Sequence, residues 1–206
     1  MLQLKIIHKE TFALLKAISS HKELQHFSLA GGTALALQLG HRLSIDLDFF
    51  TQNSFDTNEL FEFLRDTFTV TNCTQTTNSL SLYVNSQGED IKVDMIRHNY
   101  PLLYPIQKVR HIQIFSLQDI AAMKLNAIAN RGCKKVFYDV HALLTRFSIQ
   151  ELLTFFEKKY PQNNSYTVVK SLVYFADADI EPEPISLVDT TWDEIKAHFR
   201  IIVPAI

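Results

Sequence analysis

Apolar positions recur along the chain with two different periods, and the change from one to the other divides it. In residues 8–20, Phe12, Leu15, Ala17 and Ile18 fall at helical spacing. Phe27-Ser28-Leu29 reads as a short strand running into Gly31-Gly32. Thr33-Ala34-Leu35-Ala36-Leu37 has high helix propensity, with Thr33 placed as its cap and Gly40 as its C-terminal glycine. Ser44-Ile45-Asp46-Leu47-Asp48-Phe49-Phe50 begins with period-two alternation and predicts a strand. Asp56-Thr57-Asn58-Glu59 opens a helix to about residue 68. Residues 80–84 and 91–96 read as strands joined by the turn-rich Asn85-Ser86-Gln87-Gly88-Glu89-Asp90, a hairpin, and Ile112-Gln113-Ile114-Phe115 as one more strand. After Ser116 the strand signals thin out. Ser116-Leu117-Gln118-Asp119, Ser148-Ile149-Gln150-Glu151 and Thr191-Trp192-Asp193-Glu194 each fit a helix-starting box, with long helical stretches between them. The pattern predicts an α/β (α+β) domain over residues 1–115 and a helical domain over 116–206, with a cleft between them.

Composition narrows the function classes. A 206-residue chain with 47% apolar and 20% charged residues can bury a proper core. A formal charge of −2 does not suit a generic nucleic-acid coat, so any nucleic-acid contact must come from a local basic patch. Two cysteines, Cys73 and Cys133, make no disulfide framework. The first residues lack the charged and apolar regions of a signal peptide, and no apolar run approaches the roughly 20 residues of a membrane span. The cytoplasm is the expected compartment.

Two carboxylates at i and i+2 on a strand project from the same face. Asp46 and Asp48 are therefore expected to point together, with Ile45, Leu47 and Phe49 turned into a core. Like charges side by side make sense where a cation sits between them, and oxygen-only ligands favour a hard ion such as Mg²⁺. Taken alone, an Asp-x-Asp is more often a solvated strand edge. The preceding Ala30-Gly31-Gly32-Thr33 changes the balance. It joins a strand to a helix, brings backbone close to something, and offers helix N–H groups to a phosphate. A phosphate-cradling turn and a carboxylate pair on the next strand are two halves of a metal–triphosphate site.

Leu29-Ala30-Gly31-Gly32-Thr33-Ala34-Leu35-Ala36-Leu37, followed by Gly40-His41-Arg42-Leu43-Ser44-Ile45-Asp46-Leu47-Asp48-Phe49-Phe50, resembles the signature of the AbiEii/AbiGii toxin-like nucleotidyltransferases, members of the polymerase-β-like nucleotidyltransferase superfamily. Asp119-Ile120-Ala121-Ala122-Met123-Lys124-Leu125, Arg131-Gly132-Cys133-Lys134-Lys135 and Phe137-Tyr138-Asp139-Val140 resemble the family's helical motif. Residues 174–178 and 192–196 resemble its C-terminal segments. The resemblance implies a nucleotidyltransferase-fold mixed sheet with helices, Mg²⁺-dependent nucleotidyl transfer from an NTP with up to two ions, and a toxin paired with an antitoxin protein. Some relatives act on tRNA acceptor ends, which makes RNA the implied acceptor. By position it implies Asp46 and Asp48 as metal ligands, Gly31, Gly32 and Thr33 facing the triphosphate, Lys124 on the nucleotide phosphates, and Asp139 completing the site. The superfamily also implies a third metal carboxylate on a neighbouring strand, and Asp94 is the Asp inside a later strand signal. One departure is visible: the family's acidic residue three positions before the equivalent of Asp139 is Val136 here.

Lys124, Arg131 and Lys135 fall at i, i+7 and i+11, one helical face if the helix continues through Gly132. Such a stripe is usually a solvated face, but Lys124 lies in an apolar stretch where a lysine needs a partner, either a triphosphate or Asp139. Arg42 is a further candidate for phosphate contact, whereas His41 reads as structural. Walker A, Cys-x-x-Cys, Gly-x-Ser-x-Gly and His-Glu-x-x-His patterns are missing from the sequence. Two rival readings stay open: a catalytically degenerate protein that binds nucleotide or a partner, and a metal-dependent phosphohydrolase.

Overall fold

The structure is a computed structural model that describes residues 2, 3 and 6–203. The first of its two compact units draws on the chain up to residue 38, on 44–100 and on 106–115; the second takes 39–43, 101–105 and the chain from 116 on. Residues 39–43 and 101–105, assigned to the first half from sequence, therefore group with the helices.

The first unit holds a mixed sheet of seven strands among the described residues: β1 (Ser28–Ala30), β2 (Leu47–Thr51), β3 (Val70–Thr76), β4 (Ser79–Ser86), β5 (Glu89–Arg97), β6 (Gln107–Val109) and β7 (Ile112–Ile114), in the order β3-β4-β5-β2-β1-β7-β6. β1 runs antiparallel to β2 and parallel to β7, and β2 runs parallel to β5. Alternation along these strands sorts the two faces. Leu47, Phe49, Leu80, Leu82, Val84, Ile91, Val93 and Met95 are buried on one, while Asp48, Ser81, Lys92 and Asp94 share the other. Helices α1 (Lys9–Ser20), α2 (Gly31–Leu39) and α3 (Thr57–Thr67) belong to this unit. Asp56 caps α3, its side chain accepting from the N–H groups of Asn58 and Glu59. The β4–β5 hairpin is tighter than the six-residue connection expected, because Gln87 and Gly88 both take positive φ in a two-residue turn.

The second unit is helical: α4 (Leu117–Asn130), α5 (Lys134–Leu143), α6 (Ile149–Lys159), α7 (Ser165–Ser171), α8 (Ala176–Asp179) and α9 (Trp192–Ile202). Ser116, Ser148 and Thr191 are N-caps, as the three boxes predict. Asp119 does more than complement Ser116. Fully buried, it accepts hydrogen bonds from Ser116 Oγ, the Leu103 and Tyr104 N–H groups and Lys159 Nζ (2.7 Å), tying 101–105 to the helices. Phe137 meets Phe175, Trp192 and Phe199 in the interior. No helix among the described residues is long and apolar enough to cross a membrane.

The Thr191 cap is exposed and local. Thr191→Ala should lower the unfolding free energy by about 1 kcal/mol in urea melts. A variant as stable as the wild type would mean that α9 does not depend on its capping box.

Candidate active site

Two of the acidic candidates lie on the polar face of the sheet. Asp48 on β2 stands directly opposite Asp94 on β5 in parallel register, so both carboxylates leave the same face of hydrogen-bonded neighbours. Asp46 falls one step before β2 begins, and Ile45, expected in the core, is 55% exposed. The strand starts later than alternation suggests because residues 43–46 are held from outside the sheet. Leu43 N–H donates to the Ile185 carbonyl, while Thr33 Oγ1 bonds the Asp46 carbonyl and lies 2.9 Å from Ser44 Oγ.

That contact also revises Thr33. It was expected to cap a helix and face a triphosphate; instead α2 begins at Gly31, and the buried Thr33 hydroxyl anchors the segment that carries Asp46. Gly31 is equally specific. Its φ is +67°, and a Cβ built there would lie 2.0 Å from Asp48 Oδ2. Only glycine combines that backbone with that clearance, so the turn sets where the Asp48 carboxylate sits.

Asp94 has two close partners: Ser81 Oγ donates at 2.5 Å, and Lys92 Nζ pairs at 2.6 Å. Burial works against the charged form of Lys92, but the hydrogen bond and charge of Asp94, with the charges of Asp48 and Asp46, hold the ammonium above its ordinary range. Lys92 was not singled out in the sequence. Its spacing two residues before Asp94 on one strand was the available signal. Among the described residues, no three His, Cys, Asp or Glu side chains already converge as a metal cage.

The basic residues gather in the second unit around Asp139. This carboxylate is 0% exposed. Arg42 grips it with two nitrogens (Nε–Oδ1 2.7 Å, Nη2–Oδ2 3.0 Å), His41 Nε2 lies 2.8 Å from Oδ1, and Lys124 Nζ lies 2.6 Å from Oδ2. Burial alone would raise its pKa. The charges of Lys124 and Arg42 and the hydrogen bonds from His41 and Arg42 outweigh that and hold Asp139 far below the usual carboxylate range. Asp139 was expected to complete the site as a reacting group; its burial instead makes it the anchor of Lys124, whose side chain is 12% exposed. Arg42 was expected on phosphate, yet its guanidinium is spent on Asp139 and the Leu43 carbonyl. Residues 41–43 are in turn strapped to 185–187 by backbone pairing.

The continuous cationic face expected through Gly132 does not form. α4 ends at Asn130, Arg131 is its C-cap, and α5 restarts at Lys134. Lys134 is buried, with its ammonium 5.4 Å from the Trp192 ring, whereas Arg131 and Lys135 are exposed. Those two, with Arg42 and Cys133, line a cavity of about 450 Å³ whose other wall is Glu181-Pro182-Glu183-Pro184. Val136, at the position of the missing acidic residue, is buried.

Residues 13–205 match the family described as nucleotidyl transferase AbiEii toxin, type IV TA system. An uncharacterized protein of Aquifex aeolicus (strain VF5) is 34% identical over 200 residues, covering 94% of each chain. Among solved structures, the fold is similar to MenT4, a nucleotidyltransferase toxin from Mycobacterium tuberculosis H37Rv, with a TM-score of 0.60 and 15% identity over 97% of this chain and 86% of that one. It is also similar to JHP933 from Helicobacter pylori, with a TM-score of 0.56 and 15% identity over 97% and 92%.

Proposed function

The chain belongs to the AbiEii family of nucleotidyltransferase toxins, and from that premise we propose that it moves a nucleotidyl group from an NTP to an RNA acceptor, in the cytoplasm and under the control of an antitoxin protein. The observation that carries the reading is the Asp48–Asp94 register with Gly31 shaped around Asp48.

The donor set suits Mg²⁺: carboxylate oxygens from Asp48 and Asp94 share one face, and Asp46 is held just before β2 by Thr33. When bound there, the ion supplies the charge that draws an NTP α-phosphate and an attacking hydroxyl together. One of the three carboxylates accepts the hydroxyl proton. Gly31 and Gly32 open α2, whose first N–H groups favour phosphate oxygens. Lys124, oriented by the buried Asp139, stabilises the departing pyrophosphate. In this scheme Asp139, Arg42 and Thr33 are positioning residues. They fix Lys124 and Asp46 and touch no substrate.

The test is incubation with each labelled NTP, Mg²⁺ and total bacterial RNA. Label should enter RNA with the wild type and not with Asp46→Asn. Arg131 and Lys135 are exposed, so Arg131→Glu/Lys135→Glu should leave the melting temperature unchanged. The double variant should lower transfer about tenfold and flatten the log–log salt dependence of RNA binding by about 1.4, two single-strand phosphate contacts. Label entering protein or a small molecule, but never RNA, would overturn the acceptor. No label from any NTP would overturn the transfer itself.

A further inference from the structure

Three carboxylates, Asp46, Asp48 and Asp94, act on the single ammonium of Lys92, which is in contact with Asp94 at 2.6 Å. The arrangement is unusual for a site read as a home for a divalent cation, because a lysine already stands where positive charge is wanted. Its position is fixed by the sheet. Lys92 and Asp94 lie two apart on β5, on the face that Asp48 shares through its register with Asp94. The lysine stem crosses the same face as its cross-strand neighbour Tyr83. Lys92 also lines, with Asp46 and Tyr83, a cavity of about 310 Å³ on this unit, so the ammonium has open space to move into.

We propose that Lys92 is the built-in counter-ion of the carboxylate face: it neutralises Asp94 and offsets Asp48 and Asp46 in the metal-free protein, and a divalent cation binds by displacing it. The inference rests on the metal reading of the same carboxylates. Like charges on adjacent strands repel, and in the absence of metal Lys92 relieves that repulsion. A bound divalent ion takes over the task, and holding both cations against one carboxylate is unfavourable. Lys92 therefore weakens metal binding and stabilises the apo protein. It makes the site one that fills when metal arrives together with substrate phosphates, which add the negative charge that a lysine-guarded cluster lacks.

The experiment is calorimetric titration of the whole chain with Mn²⁺, for wild type, Lys92→Met, Lys92→Gln and Lys92→Arg, with melting curves of each in EDTA. Lys92→Met and Lys92→Gln should bind Mn²⁺ about tenfold tighter than wild type, the equivalent of one lost competing charge, and Lys92→Arg should stay near wild type. In EDTA the two neutral variants should melt below wild type, and saturating Mn²⁺ should close the gap. A neutral variant that is unfolded in EDTA and folds with Mn²⁺ gives the same answer in stronger form. Neutral variants that bind Mn²⁺ no more tightly than wild type, or that do not fold even with Mn²⁺, overturn the counter-ion role while leaving the metal site standing. If neither wild type nor the neutral variants bind Mn²⁺, or Asp48→Asn binds it as well as wild type does, the metal reading of the carboxylates falls instead.

Discussion

Replacing Asp139 by Asn is expected to destabilise the protein by about 3–5 kcal/mol, the cost of removing one partner from a buried ion pair. The carboxylate is fully buried, and Arg42 and Lys124 both direct their charge at it. An amide of the same size keeps part of the hydrogen bonding but leaves two cations with no compensating charge in a low-dielectric interior. The pH dependence gives the prediction a second reading. The folded pKa of Asp139 lies far below its ordinary value of 3.8. A depressed folded value means that the stabilisation is fully present above the unfolded pKa and is lost as pH falls from there through the folded one. The gap between wild type and Asp139→Asn should therefore be wider at about pH 6 than at about pH 3. Urea denaturation across that range measures both. A gap below about 1 kcal/mol, or one no wider at about pH 6 than at about pH 3, would mean that the buried charge is not what ties residues 41–43 to α5.

How much of this was legible in the sequence follows from what each residue has to bury. Strands with a core face announced themselves: Leu80-Ser81-Leu82 and Ile91-Lys92-Val93 alternate because one side packs and the other does not. β3 and β6 were not predicted. They are the two edges of the sheet, largely exposed, and Val70-Thr71-Asn72-Cys73-Thr74-Gln75-Thr76 has no apolar side to declare itself. The helix starts were readable since Ser116, Ser148 and Thr191 satisfy orphan N–H groups locally. Long-range partners were readable only as needs. Lys124 in an apolar stretch required a counter-charge, and Asp139 was one of two candidates, but the grip of Arg42 on it spans 97 residues and leaves no local trace. The break at Gly132 was the weak point of the cationic stripe, and there the face is lost. Ile45 misled because alternation assumes a strand, and residues 43–46 are fixed by Thr33 and Ile185 instead.

Gly31→Ala should be the most damaging single substitution that adds nothing but a methyl group. The new Cβ would come within 2.0 Å of Asp48 Oδ2, 2.7 Å of its Cγ and 2.9 Å of its Cβ, so the carboxylate must leave its place opposite Asp94. In the proposed scheme, displacing the Asp48 carboxylate by about 1 Å is enough to cost on the order of 10²-fold in rate. Loss of its charge altogether, in Asp48→Asn, belongs in the 10²–10³ range. The φ of +67° adds roughly 1–2 kcal/mol of backbone strain, which affects stability but not by itself the chemistry. Gly88→Ala separates the two effects: Gly88 also has positive φ (+95°), yet an added Cβ meets nothing within 4 Å. Both variants carry the cost of the left-handed backbone in urea, and Gly31→Ala adds to it the clash with Asp48. Gly88→Ala should keep nucleotidyl transfer and Mn²⁺ affinity close to wild type, whereas Gly31→Ala should lose both, as Asp48→Asn does. If Gly31→Ala transfers nucleotide as well as Gly88→Ala, the turn is glycine for reasons of backbone alone, and Asp48 does not owe its position to it.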